Sequence, residues 1–367
     1  MIPTRQLHEL GQSLWLDNIT REMIQEGTLR RYATELSVTG LTSNPTIYDH
    51  ALQSGGWYDE SIHTGAAAGL EGEALFFDLA LDDLTRAADL FRPVHEATGG
   101  TDGWVSLEVS PLLAHDTRRT IEETRSLHQR AARPNLFIKI PGTPEGLPAI
   151  EESIFAGVPV NITLLFSREQ YLATVGAYRR GIERRIAAGL DPAVESVASL
   201  FISRWDKAVL DKVPATLRGR LGIAIAGQTY RAYRELLDSA SWQKLAAAGA
   251  RPQRLLWAST GTKDPQASDV FYIEALAAPD TINTMPEATL LAFADHGKLR
   301  GALAADGGDA ESVIAEFVQA GIDVDALATD LQQHGAEAFV KSWKELLGGI
   351  TSKAEALTSG AGTGGRR

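Results

Sequence analysis

Two stretches, Val105-Ser-Leu-Glu-Val-Ser110 and Leu136-Phe-Ile-Lys-Ile140, decide how this chain is read. Successive side chains of a β-strand point to opposite faces. Val105, Leu107 and Val109 therefore point one way, and Ser106, Glu108 and Ser110 the other. In the second stretch Leu136, Ile138 and Ile140 share one face, leaving Lys139 with Phe137 on the opposite one. Parallel strands packed beneath helices normally read as nearly continuous hydrophobic runs. A glutamate and a lysine inside such runs are departures that need a cause.

The same departure recurs outward from these two segments. In Val160-Asn-Ile-Thr-Leu164, Asn161 and Thr163 lie together opposite three aliphatics. Asp17 sits opposite Leu14 and Leu16, and Thr42 shares a face with Asn44 at the end of another run. Candidate strands at Leu14–Ile19, Val38–Asn44, Trp104–Val109, Leu136–Ile140, Pro159–Phe166, Val197–Ser203, Leu255–Thr260 and Thr281–Met285 bring the count to eight. Amphipathic segments separate them, including Leu70–Leu90, Arg168–Gly189 and Tyr230–Ala248. Strands alternating with helices predict an α/β fold with a parallel sheet. Eight of them predict a closed (β/α)₈ TIM barrel, with an open doubly wound sheet as the alternative.

Ala304–Leu347 reads as helical, with Phe339, Trp343, Leu346 and Leu347 on one face, so C-terminal helices are expected to pack on the barrel. Residues 1–350 are thus expected to form a single barrel domain with N- and C-terminal helical additions. Residues 351–367 are read as a helix end and a flexible tail, the run from Thr358 being small-residue and disordered.

Composition narrows the function. With 44% hydrophobic and 22% charged residues, the 367-residue chain has ample material for a core. A formal net charge of −12 argues against general nucleic-acid binding, though a few local cations and backbone amides suffice for phosphate. The absence of cysteine removes disulfides, zinc–thiolate sites, iron–sulfur clusters and thiol nucleophiles together. The first ten residues lack the apolar stretch of a signal peptide, and no run reaches membrane-spanning length, so a cytoplasmic location is expected. The eight histidines are scattered without metal-ligand spacing, and His115 reads as a loop residue. Gly99-Gly-Thr-Asp-Gly103 reads as a turn, and Gly261-Thr-Lys263 lacks the glycine pattern of a nucleotide loop.

A lone strand lysine is usually a snorkelling or edge residue, and a lone strand glutamate usually faces water. Five strands with polar side chains on one face weaken that explanation, because buried polar groups cost free energy unless paired. Barrel enzymes place their chemistry at the C-terminal ends of the strands. A lysine amine there can attack a ketone to give a carbinolamine and then an iminium ion, an electron sink. That route needs a neutral amine, a group that shuttles protons through water, and a base for carbon–carbon cleavage. Lys139 is the candidate amine, Glu108 with Thr163 the water-handling pair, and Asp17 the base. Asn44 and Asn161 are candidates to hold sugar hydroxyls or the enamine, and structural hydrogen bonding is the competing reading for Asn44.

The segments Leu16-Asp-Asn18, Gly40-Leu-Thr-Ser-Asn-Pro-Thr46, Ser106-Leu-Glu-Val-Ser110, Phe137-Ile-Lys-Ile-Pro141 and Val160-Asn-Ile-Thr-Leu-Leu-Phe-Ser167 resemble transaldolase signatures, in transaldolase order. The likeness runs from about residue 13 to about residue 290, and more loosely into the C-terminal helices. It implies Lys139 as the Schiff-base lysine, Asp17 as proton acceptor, Glu108 and Thr163 on water, and Asn44 and Asn161 on substrate. It further implies transfer of a dihydroxyacetone unit from sedoheptulose 7-phosphate or fructose 6-phosphate to glyceraldehyde 3-phosphate or erythrose 4-phosphate. That is the non-oxidative pentose phosphate pathway. No metal or organic cofactor is implied, and no protein partner is expected.

For the phosphate end, Ser199 and Arg204 resemble the family's phosphate-binding pair, arginine offering bidentate geometry. Ser259 matches a family serine, but Gly261 stands where an arginine is usual, and Lys263 is the candidate second cation, a point charge instead of a fork. An ordinary loop lysine is its competing reading. Three rival functions are carried forward. One is a fructose-6-phosphate aldolase-like enzyme, whose members tend to have tyrosine where this chain has Glu108. Another is a deoxyribose-phosphate-type lysine aldolase, which lacks these asparagine motifs. The last is a non-catalytic sugar-phosphate-binding barrel.

Overall fold

The computed structural model describes residues 2–361. Eight strands, all paired in parallel, close into one barrel in sequence order. They are β1 (Ser13–Leu16), β2 (Val38–Thr42), β3 (Val105–Glu108), β4 (Leu136–Pro141), β5 (Val160–Leu165), β6 (Ser196–Phe201), β7 (Gln253–Ala258) and β8 (Ile282–Met285). All eight expected strands are present, and the open-sheet alternative is excluded by the β1–β8 pairing.

The register explains why the polar residues gather. Residues paired across neighbouring strands lie on the same face. Thr42 pairs with Ser106, Glu108 with Lys139, Lys139 with Asn161, and Asn161 with Val197. Trp15 pairs with both Gly40 and Thr284, placing these on the same inner face. Below the polar layer the interior is aromatic: Phe137 stacks on Trp104 at 4.0 Å and lies 6.3 Å from Trp15. Gly40 is what admits the Trp15 indole. A Cβ there would fall 2.8 Å from Trp15 Nε1 and 2.5 Å from the Trp104 carbonyl oxygen.

The outer faces of the strands bury Leu14, Leu107, Ile138, Ile140, Ile162 and Leu200 against the surrounding helices. At about 25 cal/mol per Å² of apolar surface, burying this outer layer against the helices stabilises the closed barrel.

Several boundaries differ from the sequence reading. The segment Tyr230–Ala248 is two helices, Leu221–Asp238 and Ala240–Ala247. They are separated by extended Ser239, whose hydroxyl caps the second by accepting from Trp242 N at 3.2 Å. The segment Ala304–Leu347 is likewise divided, into Ala310–Gln319 and Val324–Ala361, with Gly321 at φ +90° between them. Leu70–Leu90 extends to Gly72–Ala97. The last helix runs through Thr358, so the expected disordered tail begins too early, and its final residues 362–367 lie outside the described residues. Phe339, Trp343 and Leu346 of that helix are buried, while Leu347 is only partly covered. The helix packs across the helices that follow β2 and against β5, over one side of the barrel mouth.

The opposite, N-terminal end of the barrel is closed by a polar knot. Asp102 accepts from the Ser13 hydroxyl and from Trp15 Nε1 at 2.8 Å, and Arg254 Nη2 donates to Ser13 Oγ at 2.8 Å. Asp102 is 4% exposed. Contacts at this end of a barrel serve stability, because barrel enzymes place their chemistry at the other. Asp102→Ala is expected to lower the stability by about 2 kcal/mol through the orphaned Trp15 and Ser13 donors. Thermal or urea unfolding measures that loss, and the variant that folds should keep wild-type reactivity at Lys139.

Candidate active site

Strands carry Lys139, Glu108, Thr42, Asn161 and Thr163 to the mouth. Lys139 comes from the middle of β4 and Glu108 from the last position of β3, side by side in the register. Lys139 Nζ donates to Glu108 Oε2 at 3.0 Å and to the Ser43 carbonyl at 3.3 Å. Both residues are 5% exposed. Burial pushes the Glu108 carboxyl above its usual range, opposed by the adjacent Lys139 charge. Such a pair is costly to desolvate, and losing one member leaves the other charge uncompensated, at about 3–5 kcal/mol.

Asp17 stands one residue beyond β1, its N–H donating to the Met285 carbonyl at 2.8 Å. Its Oδ1 accepts from Thr42 Oγ1 at 2.8 Å, and Thr42 lies 2.7 Å from Thr284 Oγ1. Burial raises the Asp17 pKa; the charge of Lys139, the Thr42 hydrogen bond and the charge of Lys263 oppose it. The carboxylate thus belongs to the same electrostatic unit as both lysines.

Asn161 is fully buried in a second chain of contacts. Its Nδ2 donates to Ser106 Oγ at 3.0 Å and its Oδ1 accepts from Ser199 Oγ at 2.7 Å. Thr163 Oγ1 and Glu108 Oε1 are buried with no protein hydrogen-bond partner. They come from β3 and β5, which flank β4 and its Lys139, and both retain capacity for another group.

Asn44 is where the competing structural reading is realised. Its Oδ1 accepts from Ile47 N at 3.1 Å and caps the helix Pro45–Gln53, with Pro45 at the first turn. The sequence reading had placed Asn44 in a strand, but β2 ends at Thr42. Its Nδ2 keeps no protein partner among the described residues, so capping leaves half of the amide free. Ser110 departs from the alternation too. The strand stops at Glu108, and the Ser110 hydroxyl turns outward to Glu73 Oε1 at 2.7 Å.

The phosphate-end candidates are less uniform. Ser199 lies deep and is committed to Asn161. Arg204 is half-buried in the helix Ser203–Val209 with its guanidinium 5.2 Å from the Phe201 ring centroid. Burial holds the guanidinium below its usual value, and no carboxylate pairs with it among the described residues. Its planar guanidinium keeps the bidentate geometry that suits a phosphate or carboxylate. Ser259 Oγ lies 3.0 Å from Ser203 Oγ, with Ser203 N donating to the Ser259 carbonyl at 3.0 Å. Lys263 is exposed and shares a cleft with Ser203, so the structure brings it to the same rim without fixing it to any partner.

Sequence reasoning missed Ser203, Thr284, the Ser43 carbonyl and Phe339. Thr284 sits inside β8, where alternation would have flagged it, whereas Ser203 lies past the end of β6 as the first residue of a helix. Phe339 comes from the helix Val324–Ala361, its ring centroid 5.8 Å from Lys139 Nζ, and nothing local in the sequence announces that contact. Among the described residues no group of three His, Asp or Glu side chains is placed to hold a metal ion.

A barrel with a buried lysine paired to a strand-end carboxylate defines the class of amine-bearing α/β barrels. The model of the transaldolase/fructose-6-phosphate aldolase family matches residues 14–350, and the chain belongs to that family. It is 44% identical over 365 residues to a transaldolase of Thermobifida fusca, covering 97% of this chain and 99% of the relative. A Parafrankia transaldolase is 45% identical, covering 94% and 96%. A transaldolase 2 of Nostoc sp. is 40% identical, covering 96% and 98%.

One carboxylate at the edge of the site reports its environment by pH. Glu123 accepts from Ser110 N at 2.7 Å, and burial together with nearby Glu73 raises it from 4.5 to about 7. The folded protein therefore binds this proton more tightly than the unfolded chain. The ionised form carries a penalty that appears as pH rises from 4.5 and is complete above about 7. Glu123→Gln is expected to raise the melting temperature relative to wild type at pH 8 and to change it little at pH 4, which a calorimetric pH series resolves.

Proposed function

We propose that this chain is a transaldolase that works through Lys139, carrying a dihydroxyacetone unit from a ketose phosphate to an aldose phosphate. The observation that carries the reading is the buried Lys139–Glu108 contact, set among Asp17, Thr42, Asn161 and Thr163 at the C-terminal end of the barrel. Sedoheptulose 7-phosphate or fructose 6-phosphate is the donor. Glyceraldehyde 3-phosphate or erythrose 4-phosphate is the acceptor, as in the non-oxidative pentose phosphate pathway.

Nucleophilic attack needs the free amine. Glu108, whose carboxyl burial makes it a better proton acceptor, lies 3.0 Å from Nζ and takes the ammonium proton without bulk water. The amine adds to the donor's C2 carbonyl. The carbinolamine then loses its hydroxyl as water, assisted by protonated Glu108, to give the iminium ion. Thr163 Oγ1 and Glu108 Oε1, both buried and without protein partners, hold that water between them.

Asp17 takes the proton from the donor's C4 hydroxyl. The C3–C4 electron pair flows into the iminium, leaving an enamine on Lys139 and releasing an aldose phosphate. Thr42 orients the Asp17 carboxylate for this step. Asn161, held on both sides by Ser106 and Ser199, and the free Nδ2 of Asn44 face the substrate hydroxyls without adding charge. The second aldehyde adds to the enamine, and the same steps run in reverse.

Arg204, with Ser203, Ser259 and Lys263 on the same rim, receives the phosphate. Deep Ser199 supports Asn161 and acts on the phosphate only through that scaffold. The glutamate at position 108 favours transfer over a fructose-6-phosphate aldolase-like release, and the full set of strand-end groups opposes a purely binding role. No helix among the described residues is long and apolar enough to cross a membrane, and a cytoplasmic location suits these metabolites. The acidic surface gives nucleic acid no purchase. The reading requires no protein partner.

Borohydride reduction in the presence of fructose 6-phosphate, followed by mass spectrometry, tests the central claim. A reduced three-carbon adduct is expected on Lys139 of the wild type, with none in Lys139→Ala. Folded, active protein without that adduct sinks the mechanism. Arg204→Ala is expected to raise KM for the phosphorylated donor about 10- to 100-fold, the worth of one charge-assisted contact, while the borohydride adduct still forms at saturating donor. Steady-state kinetics with sugars bearing and lacking the phosphate separates that outcome from general damage.

A further inference from the structure

We infer that Phe339 is a specificity-determining wall that keeps water from the three-carbon enamine on Lys139, so that the unit is transferred instead of released. The inference rests on Lys139 as the covalent residue. Two sides of Lys139 Nζ are polar, the Glu108 carboxylate and the Ser43 carbonyl. Phe339 supplies an apolar side, its ring centroid 5.8 Å from Nζ and its side chain only 7% exposed.

The helix that carries Phe339 is pinned before and after it. Gln332 Nε2 donates to the carbonyls of Gly142 and Leu164, just past β4 and near the end of β5, at 3.1 and 3.0 Å. Trp343 Nε1 donates to Glu73 at 2.8 Å, and its ring meets Phe76 edge-on at 4.7 Å. Between these anchors Gly335 lets the helix come close, since a Cβ there would lie 3.0 Å from a Leu164 methyl and 3.5 Å from Arg204 Nη1. Positions 332, 335, 336, 339 and 343 fall on one helical face, so the docking directs Phe339 toward the lysine.

The chemistry shows what an apolar wall changes. Both the ammonium and the iminium are cations, and an aromatic face attracts both. That attraction does little to favour one step over another. Water discriminates. If water reaches the enamine, C3 gains a proton and the iminium reforms. A water oxygen then bonds to C2, returning a proton, and the C2–Nζ bond breaks to leave dihydroxyacetone and the free amine. The net consumption is one water, and no oxidant or reductant enters. Transfer instead requires the enamine to survive until the acceptor aldehyde arrives. Excluding water from a reactive intermediate is the service an apolar closure performs.

The test uses the full chain with fructose 6-phosphate and erythrose 4-phosphate, scoring free dihydroxyacetone against sedoheptulose 7-phosphate. Borohydride trapping runs in parallel on wild type, Phe339→Ala and Phe339→Leu. Phe339→Ala is expected to raise the release-to-transfer ratio about tenfold and Phe339→Leu about threefold, with the Lys139 adduct retained in all three. A ratio is insensitive to the fraction of folded enzyme, so a merely structural role does not move it. An unchanged ratio with the adduct intact overturns the role of Phe339 alone. A wild type that forms no adduct overturns the Lys139 reading and this inference with it. Should Phe339→Ala fail to fold by circular dichroism, Phe339→Leu, which keeps most of the volume, decides by the same two outcomes.

Discussion

A lysine and a glutamate in contact at 3.0 Å, each 5% exposed, set the terms for the rest of this barrel. Two opposite charges with almost no water around them are costly unless their geometry is held, and here Glu108 Oε1 is left without a protein partner. The parallel register does the holding, because Glu108 and Lys139 are direct partners across β3 and β4. The Ser43 carbonyl takes another lysine proton, and Asp17 adds a second carboxylate charge to the unit. The same burial that makes the pair expensive gives it chemical use. A carboxyl whose protonated form is favoured by its surroundings can exchange a proton with an adjacent amine over one hydrogen bond.

Much of this was legible in the sequence because strand alternation is a strict geometric rule. Lys139, Glu108, Asn161, Thr163, Asp17 and Thr42 all lie on the face that alternation assigned them. The rule fails where strands stop. Ser110 continues the alternating pattern of Val105–Ser110 on paper, yet β3 ends at Glu108 and the serine turns out to Glu73. Asn44 continues the pattern of β2 and instead caps a helix. In both places a proline follows, Pro45 and Pro111, a residue that cannot donate to the ladder and suits the first turn of a helix.

Contacts made by docking were the least legible. Phe339 lies 200 residues along the chain from Lys139, by subtraction of their numbers, and reaches it only because a long helix settles across the mouth. Its apolar character was readable, and with it a place on a packing face. Which atoms that face would meet was not, since amphipathic periodicity fixes a direction on the helix and leaves the partner open. The phosphate rim shows an intermediate case. Arg204 stands out after folding as a half-buried cation without a carboxylate, a property no residue has in the sequence alone.

The rim also explains how one end of a rigid barrel carries several unlike tasks at once. Leu164 at φ +61° and Ser259 at φ +55° hold left-handed conformations that cost a non-glycine residue about 1–2 kcal/mol each. Neither is left unsupported. The Leu164 carbonyl accepts from Gln332, and the Ser259 carbonyl accepts from Ser203 N. The supports come from the two elements that line the site beyond the strands: the C-terminal helix that carries Phe339, and the short helix that carries Arg204. Each helix thus contributes a hydrogen bond to one strained strand-end residue. The lysine side of the mouth and the phosphate side are accordingly parts of one packed surface. Gly335, close against Leu164 and in ordinary contact distance of Arg204, is the point at which they meet.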